Sequence, residues 1–596
     1  MIHFVFAKQD QRYLFLKHDN EEDLINLKKL KEHINLVDPI AYLPQFQAKH
    51  QGPPPTQDFI YSYTQPTGNI IHYCAIGLWQ EIYAFFKEKN IKYDGLMENK
   101  DMFKRNIKHS FDDFKKIVNG WDLKFEPRPY QYESAYKILL WKQSISELAT
   151  RAGKTLIAYM IFRYCVEYLG AKRMLMVVPS IDLVTQGFND FNEYKEFFKM
   201  ECIWSGGELV ESANLTIGTF QSLIKFLDKK SKKYNPKFFN GYDIVFVDET
   251  HRATADQMKT IISQPFMKDV KIAFGMTGTI PEKNTIEYFC LKSLLGPTIQ
   301  VIKPIELMNA GYISPVNIKQ IRLHYKNTEK QIKAYVKCAE YGLAEFMTRD
   351  KINRKGKKVK ERIKLENPQF QIQHVKTVPC GILDIKNACL EGGKYQIGNN
   401  EPSKKYIKEL RHAVTETTAT NSLAIERMMS HFMDERIYYL CNNILPCCDK
   451  NTLILAHHTE YIRYFTEIIK QYFPNRHIEI ITGSVNKKER DRIKNVLKQH
   501  NDCILVASYG VMSTGITLSN LCFGVLFESF KSNVVNMQSI GRGLGLSEMK
   551  DEYVLYDVID CFNVALFPNK IVQQGDIKID IYNRNHYPNT IIDVKV

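Results

Sequence analysis

The sequence predicts an α/β protein: two tandem parallel-sheet domains, an N-terminal α+β accessory domain and an inserted segment between the sheets. Two observations predict it. Short β-branched runs alternate with helical patterns twice along the chain, as parallel strands joined by crossover helices do. The first series is Met174–Val178, Leu215–Ile217, Ile244–Val247 and Ile272–Phe274. The second is Thr452–Ala456, Ile478–Thr482, Cys503–Ala507, Gly524–Phe527 and Tyr553–Asp557. The chain also has 596 residues, and single cores stop growing beyond ~250 residues, so the two series read as separate sheets facing each other across a cleft.

Taken in order, residues 1–115 form an aromatic- and lysine-rich accessory domain, expected to bind nucleic acid, with a loop at Gly52-Pro53-Pro54-Pro55. The stretch Leu78–Lys87 places apolar residues at helical spacing. The leader aromatics Tyr61, Tyr63, Tyr73, Trp79, Tyr83, Phe85 and Phe86 are read as mostly core, with a stacking surface as the other reading. Residues 116–318 hold the first sheet, 319–445 the insertion and the start of the second domain, 446–570 the second sheet, and 571–596 a tail. The insertion carries a basic run, Lys351–Arg362, which either grips phosphates or is a solvated loop. His457-His458, after a strand, either touch nucleic acid or form a polar strand end.

Composition excludes several classes. Hydrophobic residues make up 44% and charged residues 25%, as in ordinary globular chains. No apolar run reaches the ~18 residues of a membrane span, and the start lacks the pattern of a secretory signal. The 13 cysteines include no C-x-x-C pair, which favours reduced, buried thiols over zinc or disulfides. A net charge of +15 favours a polyanionic partner.

The chemistry begins at Leu148-Ala149-Thr150-Arg151-Ala152-Gly153-Lys154-Thr155. Such a loop wraps phosphates with backbone N–H groups, sends a lysine to the β/γ oxygens and offers a hydroxyl to Mg²⁺. The helix that follows adds its positive dipole end. Further on, Asp243-Ile244-Val245-Phe246-Val247-Asp248-Glu249-Thr250-His251 is a buried strand ending in two carboxylates. Asp248 would hold the Mg²⁺ shell and Glu249 would orient the attacking water. Met276-Thr277-Gly278-Thr279, Ala507–Thr517, Gln538-Ser539-Ile540-Gly541-Arg542 and Arg128-Pro129-Tyr130-Gln131 complete the set.

In this order the set resembles the motor of superfamily 2 helicases, with two RecA-like domains. The segment Ala507–Ile516, the leader around Gly77-Leu78-Trp79 and the tail Ile579–Val596 resemble the UvsW-type recombination helicases of phages. The resemblance implies an ATP- and Mg²⁺-dependent DNA helicase that remodels junctions, forks and R-loops. It further implies that Gln131 reads the adenine edge with Tyr130 or Arg128 packed on the base. Thr150, Arg151, Ala152, Gly153, Lys154, Thr155 and Gly515 would bind nucleotide, with Thr155 and Asp248 on the metal and Glu249 as base. His251, Thr277 and Thr279 would couple hydrolysis to movement. Gln538 and Arg542 would cross the cleft, with Arg542 as the arginine finger. Pro179, Ser180, Gly218, Thr219, Gln221, Thr482, Gly483 and Ser508 would touch DNA.

Two positions depart from the family pattern: Arg151 stands where a small residue is usual, and Gly545 where a second arginine is. Removing an arginine finger costs ~10³–10⁵ in turnover, so Arg542 alone suffices, Arg151 or a neighbour substitutes, or hydrolysis is slow. The expected partner is branched or partly duplex DNA, with replication or recombination proteins beside it and no membrane. The expected compartment is the bacterial or phage-infected cytoplasm. One alternative is a duplex-DNA translocase of a restriction or defence complex. Another is a DNA-binding or annealing protein with a degenerate ATPase site.

Overall fold

An antiparallel sheet begins the chain, in a computed structural model that describes residues 1–6, 12–37, 56–66, 69–94, 104–203, 213–250, 255–325, 346–352, 358–364, 426–427, 430–431, 433–483, 485, 487–512, 520–528, 533–562 and 570–596. The chain divides into two units, Met1–Glu306 and Leu307–Val596.

In the first unit, β1 (Ile2–Phe6) and β2 (Tyr13–His18) lead into α1 (Glu21–Ile34). The two-residue strands β3 (Leu36–Val37) and β4 (Thr56–Gln57) pair with each other. Then come β5 (Ile60–Thr64), β6 (Ile70–Ala75) and α2 (Trp79–Glu88). The sheet order is β1-β2-β6-β5. Alternation along its strands turns Ile2, Phe4, Leu14, Leu16, Ile60 and Cys74 inward, against Leu27, Leu30 and Phe86 of the two helices.

The helices α3 (Phe111–Asn119) and α4 (Pro129–Leu139) precede β7 (Gln143–Leu148), α5 (Lys154–Leu169), β8 (Met174–Val178) and α6 (Ile181–Tyr194). After β9 (Met200–Ile203) and β10 (Leu215–Thr219) come α7 (Phe220–Ile224), β11 (Ile244–Asp248), α8 (Ala255–Ile262), β12 (Ile272–Thr277), α9 (Ile286–Leu295) and β13 (Thr298–Ile302). The seven strands lie in the order β13-β7-β12-β11-β8-β10-β9, all parallel. Helix α5 is apolar nearly all round, with Leu156 through Phe162 buried, as a helix covered by both sheet and neighbouring helices must be.

The accessory sheet and this domain share one core, in which Tyr288, Phe289 and Trp141 join the accessory residues. Gly77 makes the approach possible: a Cβ there would stand 1.8 Å from the Lys292 carbonyl oxygen. Beside it, Lys292 Nζ lies 3.0 Å from Glu81 and donates to Gln80 at 2.9 Å, while Gln80 Nε2 donates to the Thr298 carbonyl at 3.1 Å.

The second unit has its own parallel sheet. Its strands are β14 (Val316–His324), β17 (Thr452–Ala456), β18 (Ile478–Ile481), β19 (Ile504–Ser508), β20 (Phe523–Leu526), β21 (Tyr553–Cys561) and β22 (Asn589–Lys595), in the order β18-β19-β17-β20-β21-β14-β22. Helices α10 (Asp434–Tyr439), α11 (Thr459–Tyr472), α12 (Lys487–Gln499), α13 (Tyr509–Met512), α14 (Asn533–Gly543) and α15 (Lys570–Arg584) connect and cover them. The strand around residue 319 and the C-terminal tail both belong to this sheet. Buried Asp557 ties them in: it bonds Lys578, accepts from Tyr582 Oη at 3.0 Å and from Gln320 Nε2 at 3.2 Å. Burying a charge is costly unless it is paired and hydrogen-bonded in this way.

Between β14 and β17, β15 (Phe346–Ile352) and β16 (Lys358–Lys364) form an antiparallel ribbon with Ile352 opposite Lys358. The basic run therefore has paired strands at both ends. Among the described residues no helix is long and apolar enough to cross a membrane.

Candidate active site

In the first unit, strand register brings the selected residues to one edge. Asp248 lies opposite Met276, Thr277 opposite Glu147, Val247 opposite Val177 and Thr219 opposite Val178. The segments leaving β7, β12, β11, β8 and β10 thus emerge side by side at the carboxyl ends of the strands, where open α/β sheets bind ligands.

The phosphate loop joins β7 to α5. Gly153 closes it in the left-handed region at φ 73°, and Arg151 is also left-handed at φ 69°. Burial pulls the Arg151 pKa below its usual value. Helix α4 braces the loop at Ala152, whose carbonyl accepts from Tyr130 Oη at 2.8 Å and from Gln131 Nε2 at 2.9 Å. Gln131 Oε1 in turn accepts the Arg128 N–H at 2.7 Å, and Arg128 Nη1 donates to Tyr130 at 3.2 Å. A Cβ on Gly153 would meet Gln131 Nε2 at 2.2 Å.

Lys154 opens α5 and reaches Glu249, with Nζ 3.0 Å from Oε1. Glu249 follows β11 at φ 46°, and its N–H donates to Asp248 Oδ1 at 2.9 Å. Burial first and Glu249 second push the Asp248 carboxyl above its usual range, against the pull of Lys154. Thr155 lies against Asp190 and Tyr194 on α6, two residues that nothing in the sequence singles out. Burial lifts the Asp190 carboxyl to about 6. The turn after β12 is held by Thr277 Oγ1 donating to the Thr279 carbonyl at 2.7 Å. It abuts the loop: a Cβ on Gly278 would stand 3.4 Å from Thr150 Oγ1. A cation, two adjacent carboxylates and a hydroxyl thus converge on a loop of backbone N–H groups, the equipment for holding and hydrolysing a triphosphate.

Of the residues expected at nucleic acid, Pro179 and Ser180 follow β8, and Ser180 Oγ caps α6 by accepting the Leu183 N–H at 3.4 Å. Gly218 and Thr219 end β10, where Thr219 Oγ1 caps α7 by accepting from Ser222 at 3.2 Å and Gln221 is exposed. In the second unit, Thr482 is buried and Gly483 exposed after β18, while Ser508 ends β19. Arg542 is half-buried on α14. His251, Gly515, the Gly52–Pro55 turn and the Gln538 side chain lie outside the described residues.

The departure at Gly545 has a local setting. The Gly545 carbonyl accepts from Ser314 Oγ at 2.9 Å, and the Leu544 carbonyl accepts the Ser314 N–H at the same distance. Just before, a Cβ on Gly543 would meet the Tyr553 ring at 2.2 Å. His457 and His458 face inward: the His457 N–H bonds the Glu528 carboxylate, and the His458 ring lies 4.9 Å from that of buried His431.

Family models match in the same order as the two sheets. One described as "Type III restriction enzyme, res subunit" matches residues 124–282, and one described as "Helicase conserved C-terminal domain" matches 435–544. The chain is 24% identical over 450 residues to the "ATP-dependent DNA helicase uvsW" of Enterobacteria phage T4, covering 74% of this chain and 70% of that protein. The chain is a superfamily 2 helicase that resembles UvsW.

The helicase is also 29% identical over 208 residues to the "DNA 3'-5' translocase XPB2" of Sulfurisphaera tokodaii, covering 35% of this chain and 43% of that one. The crystal structure of T4 UvsW aligns over 100% of this chain and 99% of its own at 19% identity, with a TM-score of 0.39. As a member of this superfamily the chain hydrolyses ATP and acts on nucleic acid.

Proposed function

We propose that this helicase uses ATP hydrolysis to move along DNA and to remodel branched DNA in recombination, replication or repair, in the bacterial cytoplasm. The observation that carries the ATPase half is the Lys154–Glu249 pair beside Asp248, at the carboxyl ends of adjoining parallel strands. In this reading Lys154 holds the phosphates, Glu249 orients and deprotonates water, and Arg542 stabilises the charge that develops on the γ-phosphate.

The Thr155 hydroxyl and the Asp248 carboxylate are hard oxygen donors and would hold Mg²⁺. When bound, the ion would neutralise phosphate charge. Pro179, Ser180, Gly218, Thr219, Gln221, Thr482, Gly483 and Ser508 would track the DNA backbone from strand ends. Branched DNA is the substrate that the UvsW-type resemblance implies.

The match of residues 124–282 to a restriction subunit and the likeness to a translocase favour a second reading, motion on plain duplex without strand separation. Two assays with the same preparation separate the readings. Unwinding of a four-way junction and a model fork is expected, at rates well above those for linear duplex. Displacement of a triplex strand from linear duplex, with the junction left intact, would make it a duplex translocase instead.

A further inference from the structure

The accessory sheet has a second face that its core does not use. Alternation places Tyr13, Phe15 and Lys17 of β2 on it, with Tyr73 of β6 and Tyr61 and Tyr63 of β5. Phe15, Tyr73 and Tyr61 stand in register across three neighbouring strands. The Tyr73 ring is the hub: it stacks on Tyr61 at 5.4 Å and 29°, and lies 5.8 Å from Phe15, 6.1 Å from Tyr63 and 6.3 Å from Tyr13.

This cluster faces water. Tyr13, Tyr61 and Tyr63 are 37%, 40% and 43% exposed, and the opposite face already packs on α1 and α2. Contiguous exposed aromatic surface of this kind marks an interaction site more often than chance. Cations frame it. The Arg12 guanidinium lies 5.8 Å from the Tyr13 ring, and Lys17 extends the same face. Where the sheet meets the first motor domain, Arg12, Tyr13, Asp58, Tyr61 and Lys259 line a cleft of about 150 Å³. Rings that offer π-faces, bordered by cations, complement a strand that carries unpaired bases on a phosphate chain.

We propose that this sheet face is a stacking platform for the unpaired bases of a DNA strand, with Tyr61, Tyr63 and Tyr73 under the bases and Arg12 and Lys17 beside the phosphates. The proposal rests on the reading that the chain works on DNA, and adds a site that holds bases where the motor holds backbone. It also accounts for which leader aromatics are not core: the helical Trp79, Phe85 and Phe86 are buried, whereas the strand tyrosines turn outward.

The test uses the whole chain, free of nucleotide, and compares binding of a homothymidine oligonucleotide with an abasic strand of equal length by fluorescence anisotropy. Wild type is expected to bind the base-bearing strand more tightly. Tyr61→Ala with Tyr63→Ala is expected to weaken that binding about tenfold, with abasic binding unchanged. Tyr61→Phe with Tyr63→Phe, which keeps the rings, should bind as wild type does. Equal affinity of wild type for both strands, or an equal loss for both in the alanine variant, overturns the platform. ATP hydrolysis in the same preparations keeps the two claims apart. Loss of the base preference with DNA-stimulated turnover intact concerns the platform alone, whereas absence of stimulation in wild type concerns the motor.

Discussion

Gly153 closes the phosphate loop at φ 73°, and the space where a Cβ would stand is filled by the Gln131 amide. Two penalties therefore add in Gly153→Ala: a left-handed backbone, on the order of 1–3 kcal/mol, and a clash that would push Gln131 off Ala152. ATP binding by titration calorimetry should weaken more than tenfold, with the fold intact by circular dichroism. Binding within a factor of two of wild type would show that Gln131 does not set the loop. The chemistry at this scale was legible, because Lys154, Thr155, Asp248 and Glu249 announce themselves by residue type in short local strings. The partners of Thr155 were not: Asp190 and Tyr194 meet it only because α6 packs on α5, and neither carries a local signal. Gln131 is expected at the adenine edge, and the structure adds a bracing role that the motif does not name: its amide bonds Ala152 and Arg128.

Strands built from β-branched runs, such as Met174–Val178 and Thr452–Ala456, are where the sequence places them. The strand that launches the phosphate loop carries no such pattern. Gln143-Ser144-Ile145-Ser146-Glu147-Leu148 has only two apolar positions in six, the composition of an exposed segment, yet Ser144 and Ser146 are fully buried one strand in from the edge of the first sheet. Small hydroxyls fit there because β12 and β13 flank the strand on both sides and its neighbours supply the apolar volume.

The docking of α2 on α9 turns on Gly77. Helical spacing marks Leu78 and Trp79 and resemblance marks Gly77, whose physical reason is the 1.8 Å that a Cβ would leave to the Lys292 carbonyl. Overpacking against backbone costs about 1–3 kcal/mol, and here it also breaks the geometry of the Lys292–Glu81 pair. Gly77→Ala should lower the urea midpoint of the first unit and make the accessory domain sensitive to limited proteolysis. A variant as resistant as wild type would mean that the two layers are not held at this point.

Across the whole molecule, each unit carries a histidine that burial holds neutral: His72 in the accessory sheet and His457 in the second unit, each with its pKa pushed down to about 4 from 6.5. For His72 the neighbouring Lys31, His18 and Lys28 push the same way. For His457, Glu528 opposes burial while Arg427, His458 and His431 add to it. The unfolded chain takes up these protons as the pH falls through 6.5, whereas the folded chain resists until about 4. Stability from this source is therefore full above pH 6.5 and is lost between 6.5 and 4. The urea midpoint at pH 5 should lie below that at pH 7.5, and equal midpoints would contradict the burial argument.

At this scale the order of motifs was the readable quantity, since no single one exceeded its bland alternative and the series did. The boundaries of the second sheet were harder to read. Its strands β14 and β22 come from either end of the unit, and only long-range pairing, such as Ile318 opposite both Leu555 and Asn589, reveals them.

The central claim is that the site around Lys154, Asp248 and Glu249 drives motion on DNA. Its most direct test is ATP turnover measured on single-stranded, duplex and four-way-junction DNA, for wild type, Lys154→Ala and Arg542→Ala. The account predicts turnover that rises at least tenfold with DNA, most on the junction, and falls ~10³-fold or more in both variants. Turnover indifferent to DNA, with Lys154→Ala as active as wild type, would contradict it.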